Sequence, residues 1–195
     1  IIMKILLIFF VLLFSFSVVA EDIADFQIEG ISIGDSLLDY INKEEIDSQH
    51  LITKHHYDYL PEKFGEAYIW DNLEIFDYIS FFYKLNDSEY RIHNIRGVLE
   101  FTDVDKCLDK QKELSLFVDE LMPNAHYEEY NYSHPVDNSG NSMNYEIRYT
   151  SKNNKFLIEV HCTDFEETIR IKNNWSDGLS LKIQTIESSE WLRDY

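Results

Sequence analysis

Ser36 is the first side chain in the sequence equipped for covalent chemistry. It stands in Gly34-Asp35-Ser36-Leu37, after a short apolar run and before a helix-like pattern. A serine hydroxyl at such a turn is a weak nucleophile unless a base sits beside it. The sequence has one Asp-x-x-His pair, Asp47-Ser48-Gln49-His50, and it follows Ser36 too closely to serve. The last histidine, His161, has Ile158 where the aspartate would stand. The plainer role for Asp35 or Ser36 is a helix N-cap, whose side chain accepts an amide hydrogen from the first turn. That role is expected here, and no catalytic residue is assigned.

Two groups have metal-ligand chemistry. His50, His55 and His56 gather with Tyr57, Asp58 and Glu62, and His126 and His134 flank Glu128 and Glu129. Imidazole with carboxylate suits Zn²⁺ or Cu²⁺. Neither group has the paired histidines of a zinc hydrolase helix. Both lie in polar stretches where solvated loop residues are the simpler reading, so no metal or cofactor is assigned. Tyr127, Tyr130 and Tyr132, with Asn131, have the aromatic and amide content of a glycan or peptide contact surface, and they form the candidate binding surface. Asn86, Asn131 and Asn174 each open an Asn-x-Ser acceptor pattern, which matters only in a glycosylating source. The sequence contains no glycine-rich phosphate loop and no Cys-x-x-Cys pair.

The elements that must position these residues follow from periodicity. Residues 27–33 read as a short strand or extended arm. A helix carrying Leu37, Leu38 and Ile41 is expected from Ser36 to about Ile46, and a loop or broken helix over 47–66. Strands are expected at Tyr68–Trp70, Phe76–Leu85 and Tyr90–Phe101, with Gly97 as a bulge. Thr102 or Asp103 caps a long helix to Leu121, with Val104, Cys107, Leu108, Leu114, Phe117, Val118 and Leu121 on one stripe. Residues 124–142 read as a loop. Met143–Thr150 and Phe156–Thr163 alternate as strands around a turn at 151–154, and Leu179, Leu181 and Ile183 mark another. Residues 187–192 read as a short helix with Trp191 turned inward.

Runs of strands with segregated helices predict an α+β fold, an antiparallel sheet with helices packed on one face. Helix-then-hairpin occurs twice, over 35–101 and 103–187, which raises a duplication. The expected organisation is a signal peptide, 1–20, and one α+β domain, 21–195.

Charge and composition narrow the function. The net charge is −19, and residues 1–20 hold only Lys4 among the charged residues. Such a surface repels nucleic acid and anionic lipid, so neither is an expected partner. With 45% hydrophobic and 15% aromatic residues the chain can fold, despite its charge. Lys4, the apolar run from Ile5, and small Val18 and Ala20 form a signal-peptide pattern cut after Ala20. The run is shorter than the ~20 residues of a spanning helix. No cysteine follows it to carry a lipid, so no stable membrane anchor is expected after cleavage. Cys107 and Cys162 then meet an oxidising compartment, where an even count favours a disulfide. Both fall on apolar phases, one of a helix and one of a strand, so both point at the interface between helix and sheet. A bond there would stabilise by about 4 kcal/mol through loop closure, and two buried free thiols are the alternative.

Two stretches resemble known families. Gly34-Asp35-Ser36-Leu37 resembles the opening block of the GDSL esterases, which implies a serine nucleophile. That family also needs a late Asp-x-x-His and a parallel βαβ pattern, and this sequence has neither. The stretch Asp25-Phe26-Gln27-Ile28-Glu29-Gly30-Ile31-Ser32-Ile33-Gly34-Asp35-Ser36-Leu37-Leu38-Asp39-Tyr40 resembles the start of a family of small secreted proteins from AT-rich marine bacteria. The Cys107 helix and the ending Leu179–Leu192 resemble that family too. The resemblance implies a periplasmic or secreted location and no catalytic residue. The expected function is a non-enzymatic periplasmic binding or envelope-associated protein, its partner an envelope protein or small ligand. The alternative is a secreted hydrolase using Ser36 or a loop metal site.

The cleavage site is directly testable. Mass spectrometry of the exported protein is expected to show Glu21 as the first residue, whereas full-length chain in the membrane fraction contradicts the cut.

Overall fold

A computed structural model of the chain describes residues 23–193. The expected signal peptide lies outside the described residues. The 27–33 arm is a tight hairpin of Gln27–Ile28 (β1) and Ile31–Ser32 (β2). Its turn residues Glu29 and Gly30 both take positive φ, 52° and 79°, a conformation that favours glycine at the second place. The Glu29 carboxylate then accepts hydrogen bonds from the amides of Glu74, Ile75 and Phe76, pinning this hairpin to a distant loop.

The remaining strands join one antiparallel sheet. Phe64–Ile69 (β3), Tyr78–Lys84 (β4) and Ile92–Glu100 (β5) make a first meander. His126–Ser133 (β6), Met143–Thr150 (β7) and Phe156–Asp164 (β8) make a second. Gly178–Thr185 (β9) enters between them, giving the order β3-β4-β5-β9-β8-β7-β6. The fold class is therefore α+β with a seven-stranded antiparallel sheet. Each half is a helix and a three-stranded meander rather than a helix and a hairpin, because 126–133 is strand where a loop was expected.

The helices are Lys43–Thr53 (α1), Val104–Leu121 (α2), Glu167–Asn173 (α3) and Ile186–Arg193 (α4). Ser36 caps only a 3-10 turn at Leu37–Asp39. The expected helix to Ile46 gives way to α1, which starts later because the Asn42 side chain accepts the Glu45 amide at 2.9 Å. α2 lies on β8 and β9, with Cys107, Gln111, Ser115 and Val118 buried. Phe117, expected on that stripe, points out and is 57% exposed. Gln111 takes the inward place because its amide donates to the Tyr145 and Val160 carbonyls. α4 lies on the opposite face: Trp191 packs on Phe64 and Phe82, and its indole donates to the Pro61 carbonyl. The expected single helical face is thus corrected to helices on both faces.

The main core lies between the sheet and α2 with the N-terminal hairpin. Ile79, Phe81, Ile95, Ile158, Val160, Leu179 and Ile183 supply the sheet side, and Ile28, Leu37 and Ile46 the cover. Gly97 is no bulge. It keeps regular register with Ile79 and Leu181, and a Cβ there would meet the Phe76 ring at 2.7 Å. The irregularity falls instead at His93, where Phe82 pairs with Asn94 but Tyr83 with Ile92.

Cys107 and Cys162 are bonded, with Cα atoms 6.0 Å apart and a sequence separation of 55. The bond fastens α2 to a central strand. Replacing both cysteines with alanine is expected to cost about 2–4 kcal/mol in chemical denaturation. Wild-type stability that is unchanged by reductant would contradict this.

Candidate functional site

On the sheet face away from α2 the alternation of β4 to β9 places polar residues where a second core would otherwise lie. Register aligns Ser80, Arg96, Lys182, Glu159, Arg148 and Glu128 in one row across six strands. The next row holds Val98, Ser180, His161, Glu146 and Tyr130. Each strand shows its apolar phase to α2 and its polar phase here, so both faces follow from the same period of two.

Glu159 is the hub. It is 4% exposed, and Arg148, Lys182 and Arg193 reach it at 3.1, 2.9 and 3.0 Å. Arg148 also pairs with buried Glu146, whose other oxygen accepts the Tyr132 hydroxyl at 2.9 Å. The Arg148 guanidinium sits 4.9 Å over the Tyr130 ring. A cavity of about 280 Å³ opens between Tyr132, Arg148, Glu159, Lys182 and the α4 residues Ser189 and Arg193.

Arg96 is different. It stands directly opposite Lys182, so two cations are neighbours across adjacent strands, an arrangement that destabilises by itself. Lys182 has Glu159. Arg96 has one hydrogen bond, to the Tyr78 hydroxyl at 3.2 Å, and its shielded Nε has no partner among the described residues. Glu66 lends it long-range support only. Four cations, Arg96, Arg148, Lys182 and Arg193, thus share this face with four carboxylates, Glu66, Glu128, Glu146 and Glu159, and of the four cations Arg96 has no ion pair among the described residues.

The electrostatics of this face show in its titrating groups. Burial raises the Glu159 pKa, but Lys182, Arg148 and Arg193 outweigh it and hold the carboxyl below its usual range. Burial, with Lys182 adding repulsion, pushes His161 down to about 3. Ser180, His161 and Glu146 face one another in the order of a hydrolytic triad. No hydrogen bond links them: Glu146 is held by Arg148 and Tyr132, and His161 Nε2 is buried and unpartnered. An imidazole of pKa near 3 is a poor general base at neutral pH.

The residues singled out in the sequence are dispersed. Ser36 Oγ donates to the Glu89 carbonyl at 2.7 Å and accepts the Leu38 amide, with no histidine among its partners. His50, His55, Asp58 and Glu62 line a separate cavity of about 360 Å³, while His56 turns to Glu66 at 3.2 Å. His126 approaches Glu128 at 3.6 Å, whereas His134 packs on Phe165. Among the described residues, no three His, Cys, Asp or Glu side chains converge to hold a metal ion. The three tyrosines share β6 but not a face: Tyr127 lies on the α2 side with Tyr149, and Tyr130 and Tyr132 on the polar side. The polar face itself escaped the sequence reading. Its signal was the charged outward phase of three strands, Glu146/Arg148, Glu159/His161 and Ser180/Lys182, which becomes a site only once the strands are paired.

His161 gives a pH test. Its pKa is lowered in the fold, so the unfolded chain binds the proton first as pH falls below 6.5. Its contribution is complete above that pH and drains away toward about 3. The groups facing it are Lys182, Glu159, Arg96, His134, Glu146 and Tyr132. Urea denaturation between neutral pH and pH 4 is expected to show the wild type losing up to about 1.4 kcal/mol per pH unit more than His161→Gln. Equal slopes for the two proteins would contradict it. Set against family models, curated proteins and solved structures, the chain has no match.

Proposed function

We propose that the protein is a non-enzymatic binding domain of the periplasm or extracellular space whose polar sheet face holds a small anionic ligand. The observation that carries this reading is Arg96, a half-buried cation set opposite Lys182 without a carboxylate partner of its own. Burying a charge is costly unless it is paired. An anion reaching between Arg96 and Lys182 supplies the missing pair, and a guanidinium suits a carboxylate or phosphate through two parallel hydrogen bonds.

The net charge of −19 does not forbid this. At physiological salt the screening length is about 8 Å, so acidic groups on the far surface contribute little and the local cations decide. The cavity beside Lys182, about 280 Å³, has room for roughly nine waters at about 30 Å³ each. That matches a molecule the size of a small organic acid, at the low end of ligand pockets. The disulfide is compatible with an oxidising compartment. The hydrolase alternative finds less support. Ser36 is engaged as a cap, and the aligned Ser180 lacks an effective base.

Calorimetric titration with citrate, glucuronate and inorganic phosphate tests the reading. At least one is expected to bind in the millimolar range or tighter, and Arg96→Gln, with its fold checked by circular dichroism, is expected to weaken it about tenfold or more. Absence of binding by all three overturns the reading, as does unchanged affinity in the variant.

A further inference from the structure

The two edges of the sheet are finished differently. On β3, the Gln49 side chain of α1 accepts the Tyr68 amide at 2.6 Å and donates to the Tyr68 carbonyl at 3.1 Å. Thr53 donates to the Glu66 carbonyl at 3.0 Å. The Tyr68 amide and carbonyl and the Glu66 carbonyl of that edge are therefore occupied by side chains. β6, at the other end, pairs among the described residues with β7 alone. Tyr127 and Tyr132 are 44% and 39% exposed.

Beside β6, on the α2 side, the sheet is only partly covered. α2 packs on β8 and β9, so the adjoining residues of β6 and β7 border an open groove of about 700 Å³. Leu116, Tyr127, Tyr145, Ile147 and Tyr149 give it apolar walls, and Leu116 is 59% exposed. Asp119 and Glu129 stand in the same groove with Lys112. Glu128 lies on the same strand, and exposed Glu120 lies on α2 beside Asp119.

We propose that β6 accepts an extended, basic segment of another protein as an eighth strand, with alternate apolar side chains of that segment entering the groove beside α2. An open edge offers unpaired main-chain donors and acceptors, which a partner strand satisfies, and alternate pockets then read its side chains. The charge selects the partner. A second copy brings its own Glu128 and Glu129 against the same residues, and like charges across a strand pair are unfavourable. Each chain also carries −19 overall. Lysine or arginine at the outward positions of the partner reverses both terms. The acidic edge thus disfavours self-association while remaining open to a cationic strand.

The probe is a synthetic peptide of eight residues alternating lysine and valine. Two controls accompany it: the same peptide N-methylated at alternate amides, and a glutamate–valine peptide. The lysine peptide is expected to bind in the micromolar range, more weakly as salt rises, and to slow amide exchange within residues 126–133. N-methylation, which removes strand donors without removing charge, is expected to cost about tenfold or more in affinity, and the acidic peptide is expected not to bind. Glu128→Lys, on the face that receives the partner's lysines, is expected to weaken binding in the folded variant. Absence of binding, protection away from 126–133, or full affinity of the N-methylated peptide overturns the proposal. So does a dimer of the protein alone that protects β6, which would make a second copy the occupant.

Discussion

The position of β9 is the constraint on which the rest depends. The two meanders, β3-β4-β5 and β6-β7-β8, become one sheet only because β9 pairs with β5 on one side and β8 on the other. Its inward residues Leu179, Leu181 and Ile183 join the core under α2. Its outward residues Ser180, Lys182 and Gln184 complete the polar rows. Asn94 donates to Gln184, and Lys182 donates to Glu159 while standing opposite Arg96. A slip of one residue would exchange the two faces, driving Lys182 into the core and Leu181 onto the polar side. Core and site therefore enforce the same register. The strand that closes the sheet comes last in the chain, so these pairings carry the loop-closure cost of long sequence separation.

The polar face carries an energetic tension that the apolar face lacks. Removing one partner of a buried ion pair costs about 3–5 kcal/mol, because the other charge is stranded. Glu159 escapes that fate with three cations around a carboxylate that is 4% exposed. Packed hydrophobic residues would do as well or better for stability alone. Trp191, Phe82 and Phe64 show that this same face can build an apolar cluster where it is covered by α4. The charged rows border an open cavity that α4 reaches with Ser189 and Arg193, so Glu159 meets cations there instead of an apolar cover.

Local alternation was legible in the sequence, whereas pairing between distant segments was not. Cys107 and Cys162 each fell on an apolar phase, and that sufficed to foresee their bond. β7, β8 and the 151–154 turn were equally plain, since one phase of each strand is apolar and the other mostly polar. β6 was missed because a sheet edge with an uncovered face buries little, so His126–Ser133 is polar on both phases and reads as a loop. α1 was missed for a related reason: only Ile46 and Thr53 are buried, so no apolar stripe announces it. Arg96 looked like one charged residue in a strand. Its meaning comes from Lys182, 86 positions away in sequence and opposite in space.

The two halves share an order of elements but not an architecture. α1 lies along the outer edge of its meander and occupies the Tyr68 and Glu66 main-chain groups of β3 through Gln49 and Thr53. α2 lies under β8 and β9, toward the middle of the sheet, and is fastened there by Cys107–Cys162 and by Gln111 to the Val160 carbonyl. A helix held at the centre cannot also cover the edge. The same bonds that close the core therefore leave β6 with an open side and a groove, and the glutamates on that strand take over the protection that a helix gives to β3.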